Sequence, residues 1–321
     1  MIKKIYLELF KLIYFIRRSE ELLAKEYRNG TMKTPTHFGI GQEGISAGIC
    51  FALTKKDVVF THHRSHTHYL AKGGSFYKLA CELLGRIDGC SGGRGGSVHI
   101  IDSKNNFLGS SPILGHSVAL ATGAALAIKM KLSNEIAVAF FGEGAFDEGS
   151  VWESINYAAI KKLPVLYVCE NNLYATESPL SVRRPKNTSF IKKAEAFGIK
   201  VFECDGNDTF SIYKLAKKCI PILRKNNSPV MIYANTYRWL EHVGPLYDHE
   251  VNRTYRTKKE LNLWQKKCPL NKLKSQILEK SYISEVELND VASKIDRKLN
   301  NDLVRALKSS WPKPTDIFDN A

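Results

Sequence analysis

Apolar and polar residues follow two different rhythms along the chain. Near the start, Leu9, Leu12, Ile13 and Ile16 fall at i, i+3, i+4 and i+7. That spacing places them on one face of an α-helix. Glu8 and Lys11 interrupt the apolar character, and no small-residue cleavage site follows, so an amphipathic helix is expected rather than a signal peptide. From Ser117 onward the rhythm is regular. SVALATGAALAIKMK predicts a small-residue helix able to pack closely on a sheet. EIAVAFF is a continuous apolar run of the kind found in strands buried on both faces. EGSVWESINYAAIKK predicts a helix, PVLYVCE a strand, FIKKAEAFG a helix closed by Gly198, and IKVFECDG a strand. DTFSIYKLAKKCIPILRKN predicts a helix capped by Asp208, with a kink or restart near Pro221, and PVMIYANTYR predicts a strand. Strands alternating with helices of this length imply an α/β fold, a parallel sheet with helices on both faces. The tail from about 272 to 310 is expected to be helical, with Ser284 and Glu287 in capping-box spacing.

Between Thr31 and Gly115 the pattern is different: loops rich in Gly and His, separated by helical stretches such as Ser75–Leu84. No internal repeat and no low-complexity linker divides the chain. Its 321 residues are read as a single domain, 1–321. The formal charge of +15 is carried by scattered Lys rather than by a basic block. With no aromatic-basic interleaving and no helix-turn-helix cue, nucleic acid is not expected as a partner. A solvated basic surface accounts for the charge, with an acidic protein partner as second choice. No apolar run reaches transmembrane length, so no membrane association is expected. Seven Cys, none in a Cys-x-x-Cys pair and several in apolar runs, point to a reducing compartment, hence a cytoplasmic protein.

The candidate chemistry lies at strand ends. Glu143 follows AVAFF between two glycines, and Asn171–Asn172 follow VLYVCE. Ligands of open parallel sheets bind beyond the C-terminal ends of the strands. If these two strands are neighbours, a carboxylate and an amide oxygen converge there, beside the N-terminus of the intervening helix, a natural anion site. Hard oxygen ligands next to an anion suit Mg²⁺ with phosphate oxygens in its shell. Alone, each motif is a common turn. Together they are 172 − 143 = 29 residues apart, one helix and one strand. In THHRSHTH, His62 and His66 have the i, i+4 spacing of zinc ligands, but no third ligand follows at a recognised interval. GCSGGRGGSVH looks like a phosphate loop yet lacks Gly-Lys-Ser/Thr, so NTPase activity is not expected.

The paired motif, with FTHHRSH, LLGRIDGCSGGRGGSVH and YRTKKEL in order around it, resembles the alpha subunit of the first, decarboxylating component of 2-oxo acid dehydrogenase complexes. The known members act on pyruvate, branched-chain 2-oxo acids or acetoin. The resemblance covers about residues 37–260, the expected core. It implies a thiamin diphosphate-binding fold with Mg²⁺. Glu143, Asn172 and the carbonyl of Tyr174 resemble the metal ligands. Gly142, Gly144 and Ala145 resemble the turn whose N–H groups touch the diphosphate, and Arg64 the arginine that pairs with it. Ile113, Leu114 and Gly115 match the segment under the aminopyrimidine, where Leu114 should support the bent cofactor. His66 is implied near the active centre as a catalytic candidate, and His62 as structural. His63 stands where many members have Tyr.

The resemblance also implies what the chain lacks. The Glu that activates the aminopyrimidine belongs to a beta chain, so this chain should supply half of an active site in a tetramer of two alpha and two beta chains. A lipoyl acyltransferase is a further expected partner and a 2-oxo acid the substrate. One loop departs from the family's pattern. Where members commonly read Tyr-Arg-x-His-Gly-His-Ser, this chain has Leu240, Glu241 and Val243 at the first His, the Gly and the Ser. His242 keeps the second His, implied as an active-site acid. Burial would favour its neutral form and a nearby diphosphate the imidazolium. Control by phosphorylation at the serine position is not expected. Two functions stay open: a 2-oxo acid dehydrogenase alpha subunit, or an alpha subunit of a carboligase or transketolase-like enzyme that passes its fragment to a small acceptor.

Overall fold

The computed structural model describes residues 2–226 and 228–318. Helix α1 (Ile2–Arg28) opens the chain and buries Leu9, Ile13 and Ile16, the face set by the helical spacing. Then come α2 (Glu43–Ala52), β1 (Val58–Thr61), α3 (His66–Ala71), α4 (Phe76–Leu83) and β2 (Phe107–Ser110). The regular half holds α5 (His116–Met130), β3 (Ala137–Gly142), α6 (Gly149–Lys161) and β4 (Val165–Asn171). A small hairpin, β5 (Tyr174–Ala175) and β6 (Ser178–Pro179), leads into α7 (Leu180–Arg183). Next are α8 (Phe190–Ala196), β7 (Lys200–Asp205), α9 (Thr209–Asn226) and β8 (Val230–Asn235). Helices α10 (Lys258–Gln265), α11 (Pro269–Glu279) and α12 (Glu285–Lys308) close the chain.

Six strands form one parallel sheet in the order β2-β1-β3-β4-β8-β7. Side chains along each strand alternate between two cores, as the two-residue period requires. Val138, Phe140, Leu166, Val168, Val230 and Ile232 join the core that includes α1 and α2. Ala137, Ala139, Phe141, Val165, Tyr167 and Met231 join the core under α5 and α6. Burial on both faces explains why EIAVAFF and PVLYVCE are unbroken apolar runs. Small Ala121 and Ala125 let α5 lie close to the sheet, and Thr122 meets the Tyr167 hydroxyl at 2.7 Å.

Helix α9 does not restart near Pro221. It runs through Pro221 as one helix. Pro221 is exposed, so water can serve the carbonyl that proline cannot bond, and Ile212, Ala216, Cys219 and Leu223 bury both halves in the core. Asp208 caps this helix by accepting the Ser211 N–H at 3.0 Å. The Ser284–Glu287 capping box at α12 is formed reciprocally.

What matters for function is register. Gly142 stands opposite Glu170, Asn171 opposite Asn235, and Asp205 opposite the same Asn235. The strands therefore end together, and every loop that follows them opens on one rim.

Candidate active site

Glu143 begins a short 3-10 turn directly after β3 and is 1% exposed. Burial pushes its carboxyl above the usual range, against the pull of Arg183 and of the backbone N–H groups of Glu143 and Asn172. Neighbouring strands thus do bring Glu143 and Asn172 together. The Asn172 amide nitrogen donates to Gln42 Oε1 at 3.0 Å, and its oxygen accepts the Tyr174 N–H at 3.2 Å. Tyr174 follows in β5, and its hydroxyl donates to Glu260. Gly144 faces Ala175 so closely that a Cβ there would stand 2.8 Å from the Ala175 methyl. The turn therefore requires glycine for close approach. Arg183 pairs with Glu143 and Asp147, which ties α7 to this turn.

Gly115, the N-cap of α5, donates its N–H to Glu148 at 2.9 Å, next to the same turn. Leu114 is partly buried against the α5 core, and Ile113 is turned outward at 54% exposure.

The loops after β1 and β8 build the other arm of the rim. Arg64 is buried and donates to the Phe38 carbonyl at 2.9 Å, to the His242 carbonyl at 3.0 Å and to His242 Nδ1 at 3.2 Å. These acceptors are all neutral. Burial, with Arg238 and Arg256 facing it, works against its charge. The ring nitrogens of His37, His63 and His242 lie within 4.8 Å of one another. Burial first, then Arg64, depresses all three: His37 to about 3, His242 to about 2, and His63 well below the usual value. Accepting from Arg64 at Nδ1 leaves His242 its Nε2–H as the donor. His37 Nδ1 and His63 Nε2 are buried without a hydrogen-bond partner. Neutral imidazoles beside a buried guanidinium make a pocket suited to an anion rather than to a cation.

His66, the other catalytic candidate, stands apart from this cluster. It is fully buried, with Nδ1 donating to Glu20 at 2.7 Å and Nε2 meeting Ser97 Oγ at 2.9 Å. Both nitrogens are committed, so it braces α1 against α3. Nor do His62 and His66 share a ligand position. His62 precedes α3 and bonds Glu170, while His66 opens the helix and points to Glu20.

The glycine-rich loop is a nest filled from within. Glu82, 1% exposed on α4, accepts the N–H groups of Ser91 at 2.7 Å, Gly93 at 3.0 Å, Gly95 at 2.6 Å and Gly96 at 3.2 Å. Gly92 and Gly93 have φ of +68° and +75°, which let successive N–H groups converge on one carboxylate.

The chain matches the family model "Dehydrogenase E1 component" over residues 12–315. The chain belongs to the dehydrogenase E1 component family. It is 32% identical over 317 residues to "Pyruvate dehydrogenase E1 component subunit alpha" of Rickettsia bellii, covering 99% of this chain and 95% of that one. With the protein of the same description from Rickettsia felis, identity is 34% over 316 residues, covering 98% and 95%. With that from Porphyra purpurea it is 34% over 309 residues, covering 94% and 88%. This E1 chain is thus an enzyme subunit of the thiamin diphosphate-dependent 2-oxo acid dehydrogenase type, as the resemblance implied.

Motif reading missed several residues of this E1 rim. Gln42 orients Asn172, Arg183 pairs with Glu143, and Arg238 faces Arg64. Glu170 was missed too, although its signal is in the sequence: a carboxylate inside an apolar strand must find buried partners, and four His lie within residues 62–68.

Proposed function

We propose that the chain is the alpha half of an E1 active site that binds Mg²⁺ and thiamin diphosphate and decarboxylates pyruvate or a related 2-oxo acid with a beta chain. The observation that carries the reading is the meeting of two arms on one rim. One offers carboxylate and amide oxygens at Glu143 and Asn172, and the other a buried guanidinium without a carboxylate partner among the described residues. The donor set fits the group: hard oxygens for Mg²⁺, buried cations and unpartnered imidazoles for the diphosphate, and a glycine turn for close backbone approach.

Glu143, Asn172 and the carbonyl of Tyr174 would hold the metal. Gly142, Gly144 and Ala145 would lie along the diphosphate, with Arg64 and His63 beside it, and Ile113, Leu114 and Gly115 along the ring system. Thiamin diphosphate supplies the electron sink that decarboxylation of a 2-oxo acid needs. His242, neutral and anchored at Nδ1, presents its Nε2–H for proton transfer with a carbonyl or hydroxyl. The beta chain would supply the aminopyrimidine-activating Glu within a heterotetramer, and a lipoyl acyltransferase would take the product. The reading treats residues 1–321 as one thiamin diphosphate-binding domain in the cytoplasm, and the seven free cysteines fit a reducing compartment.

A second reading draws on the loop after β8. Buried Glu241 and Leu240 replace the usual residues beside His242, so the alternative acceptor is a sugar or other small molecule, as in a carboligase. The names of the relatives favour the first reading. The test of the shared core is calorimetry with Mg²⁺ and thiamin diphosphate on the chain assembled with its beta partner. Asn172→Ala should weaken binding by ~10-fold or more, about 1.4 kcal/mol. Unchanged affinity would remove the metal assignment. Offering a lipoyl domain and small aldehydes in parallel separates the two acceptors.

A further inference from the structure

One buried carboxylate joins the two arms of the rim. Glu170 is the penultimate residue of β4, two positions before Asn172, and is 1% exposed. Its Oε2 meets His62 Nε2 at 2.7 Å and its Oε1 meets His68 Nε2 at 3.1 Å. The far sides of the two rings differ. His62 Nδ1 accepts the backbone N–H of Arg64 at 3.1 Å. His68 Nδ1 meets the Thr61 hydroxyl at 3.0 Å.

These bonds set the protons. A nitrogen that accepts a backbone N–H carries no proton, so His62 holds its proton on Nε2 and gives it to Glu170. His68 is free of that constraint, because a hydroxyl can donate or accept. A carboxylate this deep is kept by specific donors, and its removal leaves two imidazole N–H groups without acceptors.

We propose that Glu170 is a positioning residue. Through the fixed tautomer of His62 it pins the Arg64 backbone to the strand that leads into Asn172, and so sets the span between the anion arm and the metal arm. His68 and Thr61 brace the same carboxylate from the side that leads away from Arg64. The geometry predicts an asymmetry that mere core packing would not produce. His62 is in the line from Glu170 to Arg64, and His68 is beside it.

The inference rests on Arg64 and Asn172 as cofactor-binding residues, and its test separates the two ideas. The variants are Glu170→Ala, Glu170→Gln, His62→Phe and His68→Phe, each in the chain assembled with its beta partner. Hydrogen exchange at the Arg64 amide is read first, because it needs no cofactor. It should quicken by 10-fold or more in Glu170→Ala and His62→Phe, and by less than about threefold in His68→Phe. Affinity for Mg²⁺ with thiamin diphosphate should fall in the same order. Glu170→Gln should recover most of both, since its amide oxygen still accepts from His62 while its NH₂ donates to His68, whose proton moves to Nδ1 and bonds Thr61. Long-range ¹⁵N spectra of the His rings should show that tautomer change at His68 and none at His62. Equal exchange at Arg64 in His62→Phe and His68→Phe would overturn the proposal whatever the cofactor does. Quickened exchange with no binding even by the wild type would overturn the cofactor reading and leave the brace standing.

Discussion

Replacing Glu82 should unfasten the glycine-rich loop while leaving the sheet in place. The carboxylate holds four backbone N–H groups, two on each oxygen. In Glu82→Gln one oxygen keeps two of them, but the new NH₂ faces the other two donors. Hydrogen bonds to an ionised group are worth roughly 1.5–3 kcal/mol each, and two are lost outright. The charge assistance in the remaining pair goes as well. The expected cost is about 3–6 kcal/mol, a large share of the roughly 5–15 kcal/mol that holds a typical domain. Much of it should appear locally, because the loop can open without unpacking β3 and β4. The assay is hydrogen exchange of residues 89–97 in wild type and variant, with urea unfolding followed alongside. A local loss of about 3 kcal/mol quickens exchange there by ~10²-fold, while amides of β4 should change far less. Protection of the loop equal to wild type, in a variant that still folds, would refute the idea that Glu82 organises it.

Acid should destabilise the chain earlier than carboxylate protonation alone would bring about. His37 and His242 sit far below the ordinary 6.5, through burial first and Arg64 next, with Arg238 also facing both. Between 6.5 and about 3 the unfolded chain binds protons that the folded chain refuses, so stability falls as pH drops through that window. Thermal midpoints that hold steady from pH 7 to 5 would contradict it, and His37→Gln should flatten the slope. With the beta chain present, His242→Ala should cut single-turnover decarboxylation and transfer by ~10²-fold or more and spare cofactor affinity. Full activity with both acceptor types would end its acid–base role. The chain by itself should show no decarboxylation of 2-oxo acids with an artificial electron acceptor, and activity should appear when its beta chain is added. Robust turnover by the isolated chain would contradict the half-site picture.

How far the sequence carried depended on whether a residue's partner was near in pattern. Apolar runs identified β3 and β4 because burial on both faces leaves no other choice of residue. Glu143 and Asn172 were legible because one helix and one strand fix their spacing. Cysteine placement in apolar runs anticipated buried thiols such as Cys169 and Cys219. What could not be read were pairings across the fold. Glu20 and His66 are 46 residues apart, and Glu170 and His62 are 108 apart. No periodicity links them, so the spacing of His62 and His66, which finds no third zinc ligand, gave no hint that the two serve different carboxylates. The look of a phosphate loop in the glycine-rich stretch likewise gave no hint that its anion is a side chain of α4. At Pro221 local preference allowed a kink or a restart, and packing on both sides of an exposed proline carries the helix through without the restart.

The loop after β8 fastens on itself. Arg256 grips Asp248 and the carbonyls of Arg238 and Leu240, and Tyr255 links Arg238 to Asp248. Further in, Glu241 and Leu246 close a turn backbone to backbone at 2.8 Å, with Gly244 hung on the Thr36 carbonyl at 2.9 Å. The clasp is at the base and the tip carries His242 and Val243. Frame and tip can therefore diverge at different speeds. A lineage can rewrite the tip around His242 and try new acceptors without disturbing the strand ends beneath. For an engineer this makes the tip a cassette, to be exchanged between relatives as one piece while Arg238, Asp248, Tyr255 and Arg256 are left alone.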